Sequence, residues 1–295
     1  METTPNTNPA IKSGILRALL FLLIGFIFCA IVQAIFTTVI HKGFLYQGSK
    51  NDNDIGNILQ SYTITKIGFI LCAWWCMEYI NKQPFFSLGF AWKKHHGDAL
   101  AGFIIALAIL IIGTFILLFN NNIYYTTAHF SGLDFLLSIV LFVVVAFIEE
   151  IAIRGYLLNN LMHDMNKWLA LFVSAIIFSL IHVNNPDFGL LAFINVFVAG
   201  IFLGVNYVYT KNLWFGIFLH FGWNFFQGPV LGFKVSGIAF NSFFKQVQQG
   251  SEIMTGGSFG FEGSIISALL QLVAIAGLVW YYGQRKTGFR VLKKR

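Results

Sequence analysis

The sequence predicts an all-α polytopic membrane protein of about eight spanning helices, with both termini in the cytoplasm, and three observations carry that prediction. Of 295 residues, 57% are hydrophobic and only 11% are charged, against about 45–50% and about 25% in a soluble globular chain. Apolar stretches of spanning length recur along the whole chain. Lysine and arginine then concentrate on alternate connections between those stretches, as cytoplasmic loops do. A water-soluble domain is disfavoured by the first observation, and a disordered chain is excluded by its apolar content. The formal charge of +7 reads as membrane orientation and contact with anionic headgroups, so no nucleic-acid partner is expected.

The apolar core of a bilayer, about 30 Å thick, needs about 20 helical residues. Eight stretches qualify, and the whole of 1–295 forms one integral membrane domain. The first, 14–40, is about 27 residues long, beyond the roughly 7–15 of a cleaved signal segment, so it stays attached as an anchor. The second, 62–81, contains Lys66. The third is 98–119. The fourth, 133–159, is apolar until it meets three ionisable groups in six residues: Glu149, Glu150 and Arg154. The fifth and seventh, 168–184 and 212–228, are short. The sixth, 187–209, carries Gly200-x-x-x-Gly204, a small-residue spacing that lets helices approach closely. The eighth, 263–282, precedes a basic cytoplasmic tail, 283–295. Between the last two spans, 228–263 is Gly- and Phe-rich and nearly uncharged, which suggests a re-entrant or interface-lying segment. The three cysteines, Cys29, Cys72 and Cys76, lie within apolar runs and read as reduced core residues.

With the N-terminus inside, the inner segments hold fourteen Lys and Arg, including six in the tail. The outer segments hold four: Lys42, Lys50, Lys234 and Lys245. An odd number of spans would break that alternation.

Charged groups within a span are costly and are kept for function or pairing. Glu150 and Arg154 stand four residues apart, where a helical acid meets a base, and an ion pair accounts for both. Glu149 points about 100° away and needs a partner elsewhere. Candidates are His182 on the fifth stretch and His220 with Asn224, one turn apart, on the seventh. A single histidine in such a helix is usually a hydrogen-bonded structural residue; two, with an extra acid and an amide, point to a site. Counted at 1.5 Å per residue from the predicted cytoplasmic ends, Glu149 lies ~15 Å deep, His220 ~12 Å, Asn224 ~18 Å and His182 ~21 Å. One cytoplasm-facing layer can hold all four. Such a set supports water activation, with a carboxylate as general base and imidazole and amide groups orienting water and an oxyanion. Glu149, His182 and His220 also suit a catalytic zinc with an open fourth position.

Glu149-Glu150-x-x-x-Arg154, Phe178-x-x-x-His182 and His220-x-x-x-Asn224 resemble, in order and spacing, the three signature motifs of the CAAX-protease and bacteriocin-processing family. The resemblance covers a core of about 135–228. It implies an eight-helix bundle with a cavity open to the cytoplasm and hydrolysis of a peptide bond in or near the bilayer. Glu149 would activate water, His182 would position it, His220 and Asn224 would stabilise the oxyanion, and Glu150, Arg154 and Phe178 would support them. Members have been described as glutamate proteases and as metalloproteases, which leaves zinc open. The substrate implied is a membrane-associated peptide or protein tail. The Phe-, Ile-, Asn- and Lys-rich composition suggests a bacterial cytoplasmic membrane, where peptide processing or immunity would be the expected role. A proton-coupled transporter and a non-catalytic peptide-binding protein are the alternatives from other classes.

Overall fold

The computed structural model describes residues 8–40, 55–127 and 131–292. Lys42, Lys50 and the last three tail residues fall outside this range. All eight apolar stretches are helical: α1 (Gly14–Ile40), α2 (Ile55–Trp75), α3 (His96–Phe119), α4 (Gly132–Glu150), α6 (Lys167–Leu180), α7 (Leu190–Thr210), α8 (Trp214–Phe225) and α10 (Ile265–Leu292). Five helical segments among the described residues are long and apolar enough to cross a membrane by length and composition.

The boundaries differ where local chemistry overrides hydropathy. The fourth stretch does not end at 159: α4 passes through a π-helical segment, Ile151–Leu158, into α5 (Asn159–Asp164). α6 stops at Leu180, four residues short of the expected end, because Asn184-Asn185-Pro186 turns the chain and the residue before proline avoids helical backbone. The supposed tail from 283 is a helical continuation of α10 to Leu292. Segment 228–263, expected to be re-entrant or interface-lying, forms no continuous helix. It is a lobe of turns whose longest helix is α9 (Glu252–Thr255). It also contributes β2 (Lys245–Gln248), which pairs antiparallel with β1 (Ile123–Thr126) in the register Ile123↔Gln248. That two-stranded sheet is the departure from an all-α chain, and the Tyr125 hydroxyl ties β1 to the start of the lobe by donating to Leu231 O at 3.1 Å.

α4 sits centrally, with α2 on one side and α8 on another; α8 packs in turn on α3, α1 on α2, and α7 between α6 and α10. Glycine sets two of these distances. A Cβ at Gly102 would lie 2.4 Å from Phe215 O, and one at Gly200 would lie 2.9 Å from Ala175 Cβ, so α3–α8 and α6–α7 approach backbone to backbone. The apolar side chains left exposed, such as Leu19, Leu23, Phe26 and Ile35 along α1, form the surface that a bilayer covers.

Candidate active site

The central position of α4 puts its end, where the α-helix gives way to the π-helical segment, against α2, α6 and α8. π-Helical turns commonly accompany functional positions in helices, and here the two acids leave in different directions. Glu150 turns into the protein and is fully buried. Its Oε1 accepts from Arg154 Nη1 at 2.7 Å and from His220 Nδ1 at 3.0 Å. Arg154 Nη2 donates to Gly200 O at 3.0 Å, and its guanidinium lies 4.5 Å from the centre of the Phe178 ring. The same ring contacts His182 edge-on, with centroids 4.7 Å apart, and faces His220 at 6.3 Å. Phe178 is therefore the packing hub between the ion pair and both histidines.

Glu149 faces the other way, onto a cavity of about 210 Å³. The Tyr62 hydroxyl on α2 donates to Glu149 Oε1. Glu149 Oε2 lies 3.9 Å from His182 Nε2 and 3.9 Å from His220 Nε2 and has no hydrogen-bond partner. Each ring is anchored through its other nitrogen. His182 Nδ1 sits 2.7 Å from Phe178 O, which can only accept, and His220 Nδ1 faces Glu150. Both Nδ1 atoms thus carry protons, and both Nε2 atoms turn towards one carboxylate oxygen. Asn224 follows His220 by one turn and lines the same cavity. The structure brings the four residues chosen from the sequence, Glu149, His182, His220 and Asn224, to one cavity that Phe178 also lines, with Glu150 and Arg154 behind.

The cavity extends from the π-helical end of α4 towards the 228–263 lobe. Its lining runs from Glu149 back to Leu141 on α4, from Phe178 to Asn185 past the end of α6, from Asn195 to Leu203 on α7, and includes Val235, Ser236 and Ile238 of the lobe.

Five lining residues were not legible as site residues. Tyr62 and Lys66 stand one turn apart on α2, with Lys66 Nζ 5.5 Å from the Tyr62 ring centre; the cation within an apolar helix was the available signal. Glu262 accepts from Trp223 Nε1 at 3.1 Å and from Ser236 N and Oγ at 2.9 and 2.8 Å. Asn195 and Gln271 are neutral amides in apolar helices, which a search for charges passes over.

The donor types suit zinc, and each imidazole has the anchored second nitrogen of a metal ligand. The spacing does not fit. Neighbouring ligands of a tetrahedral zinc lie about 3.4 Å apart, whereas Glu149 Oε2 is 3.9 Å from either ring. Among the described residues no group of three or more His, Cys, Asp or Glu is arranged to hold a metal.

The family model described as type II CAAX prenyl endopeptidase Rce1-like matches residues 130–226. No curated protein matches the chain. The matched block contains α4, α6, α7 and α8 and all three motifs, and it supports a CAAX-type protease embedded in the membrane; it lends nothing to bacteriocin processing or immunity. The central third of this chain, which builds the wall around Glu149, is thus similar to the Rce1-like type II CAAX prenyl endopeptidases.

Proposed function

We propose that the protein is an intramembrane endopeptidase that hydrolyses a peptide bond in a membrane-associated peptide or protein tail, using water activated by Glu149. One observation carries the reading: two histidine Nε2 atoms converge at 3.9 Å on the same oxygen of a buried carboxylate whose other oxygen is held by Tyr62. That separation is too long for direct hydrogen bonds, so the carboxylate oxygen keeps a free lone pair between the two rings with which to act on water.

In the proposed step Glu149 takes a proton from this water while its oxygen attacks the peptide carbonyl. His182 Nε2, held by the bond from Nδ1 to Phe178 O, orients the water. The carbonyl oxygen becomes an oxyanion facing α8, where the Asn224 amide donates to it. His220 in its imidazolium form donates from Nε2, its charge balanced by Glu150 at Nδ1. Collapse of the tetrahedral intermediate breaks the C–N bond, and Glu149 returns its proton to the leaving amine. Glu150, Arg154 and Phe178 touch no reacting atom; they hold His182 and His220 in register with Glu149.

The test compares protein and peptide termini in cells producing wild type or Glu149→Gln at equal levels. New termini found only with wild type identify the substrate and its cleaved bond. Identical termini in both, with the two proteins folded and inserted, would overturn the reading.

A further inference from the structure

A groove separate from the Glu149 cavity opens between α3 and α10. Its volume is about 610 Å³, and it shares no lining residue with that cavity. At one end the start of α3 lies beside residues 281–282 of α10, where the Tyr282 hydroxyl donates to Asp98 Oδ1 at 2.8 Å. From there the groove follows α3 to Ile105 and α10 back to Ala274, about two helical turns or ~12 Å. This part is apolar, lined by Ala101, Ile105, Ala274 and Leu278. It is open at Gly277, where an added Cβ would meet nothing within 4 Å.

The other end is polar and basic. Lys94 and His96 line it, and both are exposed. The acid beside them is already engaged: Asp98 Oδ2 accepts from His95 Nδ1 at 2.8 Å, and Oδ1 accepts from Tyr282, whose oxygen accepts from Asn206 Nδ2 at 2.6 Å. Among the described residues no carboxylate pairs with Lys94, and the His96 ring makes no hydrogen bond. An ammonium and an imidazole N–H are thus left facing the groove as donors. Trp92, Trp280 and Tyr281 are exposed at the same level, as aromatic side chains are at headgroup depth. Leu100 and Ile104 on α3 and Val273 on α10 are exposed beside the apolar part, which opens that part to the hydrocarbon of the bilayer. One end of the groove therefore suits an anion and the rest an alkyl chain, in the order in which a phospholipid presents them.

We propose that this groove binds one anionic phospholipid of the surrounding leaflet, its phosphate held by Lys94 and His96 and an acyl chain laid between α3 and α10. Basic pockets between spanning helices recognise anionic headgroups in this way. The site is independent of the peptidase reading.

The test uses the full chain purified in detergent, with dioleoyl phosphatidylglycerol and dioleoyl phosphatidylcholine offered in equal amounts and retained lipid counted by native mass spectrometry. The first lipid retained should be phosphatidylglycerol by about tenfold over phosphatidylcholine, the value of one hydrogen bond between charged groups. Lys94→Gln combined with His96→Gln, a change confined to exposed side chains, should bring that ratio to about one. Gly277→Phe should fill the apolar part and reduce retention of both lipids; if it fails to insert, the Lys94 and His96 variant decides alone. Equal retention of the two lipids by wild type, an undiminished preference in the double variant, or unchanged retention with Gly277→Phe would overturn the site. Displacement of the bound lipid by glycerol phosphate as readily as by phosphatidylglycerol would assign the basic end to a soluble phosphate and overturn the lipid.

Discussion

Arg154 is the side chain whose loss should cost the fold most, and the cost should be recoverable. Arg154→Met removes three interactions at once: the 2.7 Å bond to Glu150, the 3.0 Å bond to Gly200 O and the stacking 4.5 Å from the centre of the Phe178 ring. Arg154 is 1% exposed and Glu150 0%, so the glutamate is left as a buried charge with only His220 beside it. Breaking a buried pair in this way costs about 3–5 kcal/mol. Most of that penalty belongs to the stranded charge. Adding Glu150→Gln removes the charge yet keeps an oxygen to accept from His220 Nδ1. The double variant should therefore recover to within about 1–2 kcal/mol of wild type, the range expected when a buried pair is replaced as a unit. The assay is reversible unfolding in mixed micelles, followed by tryptophan fluorescence for wild type, both single variants and the double. A favourable coupling of at least about 2 kcal/mol should emerge from the cycle, more if Glu150→Gln alone strands the Arg154 charge. Strict additivity, with the double as unstable as the two singles combined, would refute the argument. Arg154 would then act through packing on Phe178 and Gly200 alone.

Four further outcomes are expected. Tyr62→Phe frees Glu149 Oε1 and should lower kcat by about tenfold with KM unchanged, since it misdirects the base without touching bound peptide; steady-state kinetics on the substrate found by terminus mapping decides it. Gly216→Ala places a Cβ 2.7 Å from Glu150 Oε2 and 3.3 Å from Leu203 O, and should destabilise the fold by about 1–3 kcal/mol through overpacking while reducing activity through His220, as thermal unfolding and turnover measured together would show. Burial lowers the Lys211 ammonium to about 8 from 10.5. Between these values the unfolded chain binds more protons than the folded one, so this residue makes stability rise with pH from about 8 towards 10.5. Below 8 its burial is a constant cost, and Lys211→Met should flatten the rise in unfolding titrations. For orientation, Ser258→Cys in a variant lacking Cys29, Cys72 and Cys76 should react with an impermeant maleimide on intact cells if the charge asymmetry governs insertion; labelling only after permeabilisation would invert the chain.

Helices were readable from the sequence because apolar length is a local property, and each of the eight stretches folds as one. The ends of α6 and α10 were misjudged because hydropathy is blind to the turn at Asn184-Asn185-Pro186 and to helix that continues after its residues become basic. The β1–β2 pair lay beyond reach for a different reason. Residues 123–126 and 245–248 are four-residue segments about 120 positions apart, without the length or alternation that identifies a strand on its own.

The site divides along the same line. Glu150 and Arg154 could be paired from their spacing alone, and Glu149 could be recognised as the acid lacking a helical partner. His182, His220 and Asn224 were found as polar exceptions in apolar helices. What no local rule supplies is the identity of the group that completes each set. Glu149 is held by Tyr62, 87 positions earlier, and Asn195 and Gln271 stand on α7 and α10 among residues that look like ordinary bundle core. Charge is conspicuous in a membrane sequence because its burial is so costly. A neutral amide costs less, so it stands out only after the fold shows where it lies. The polar cluster around Glu149 was therefore legible in the sequence, whereas the rest of the cavity wall, built by α2, α7, α10 and the 228–263 lobe, had to wait for the helices to be packed.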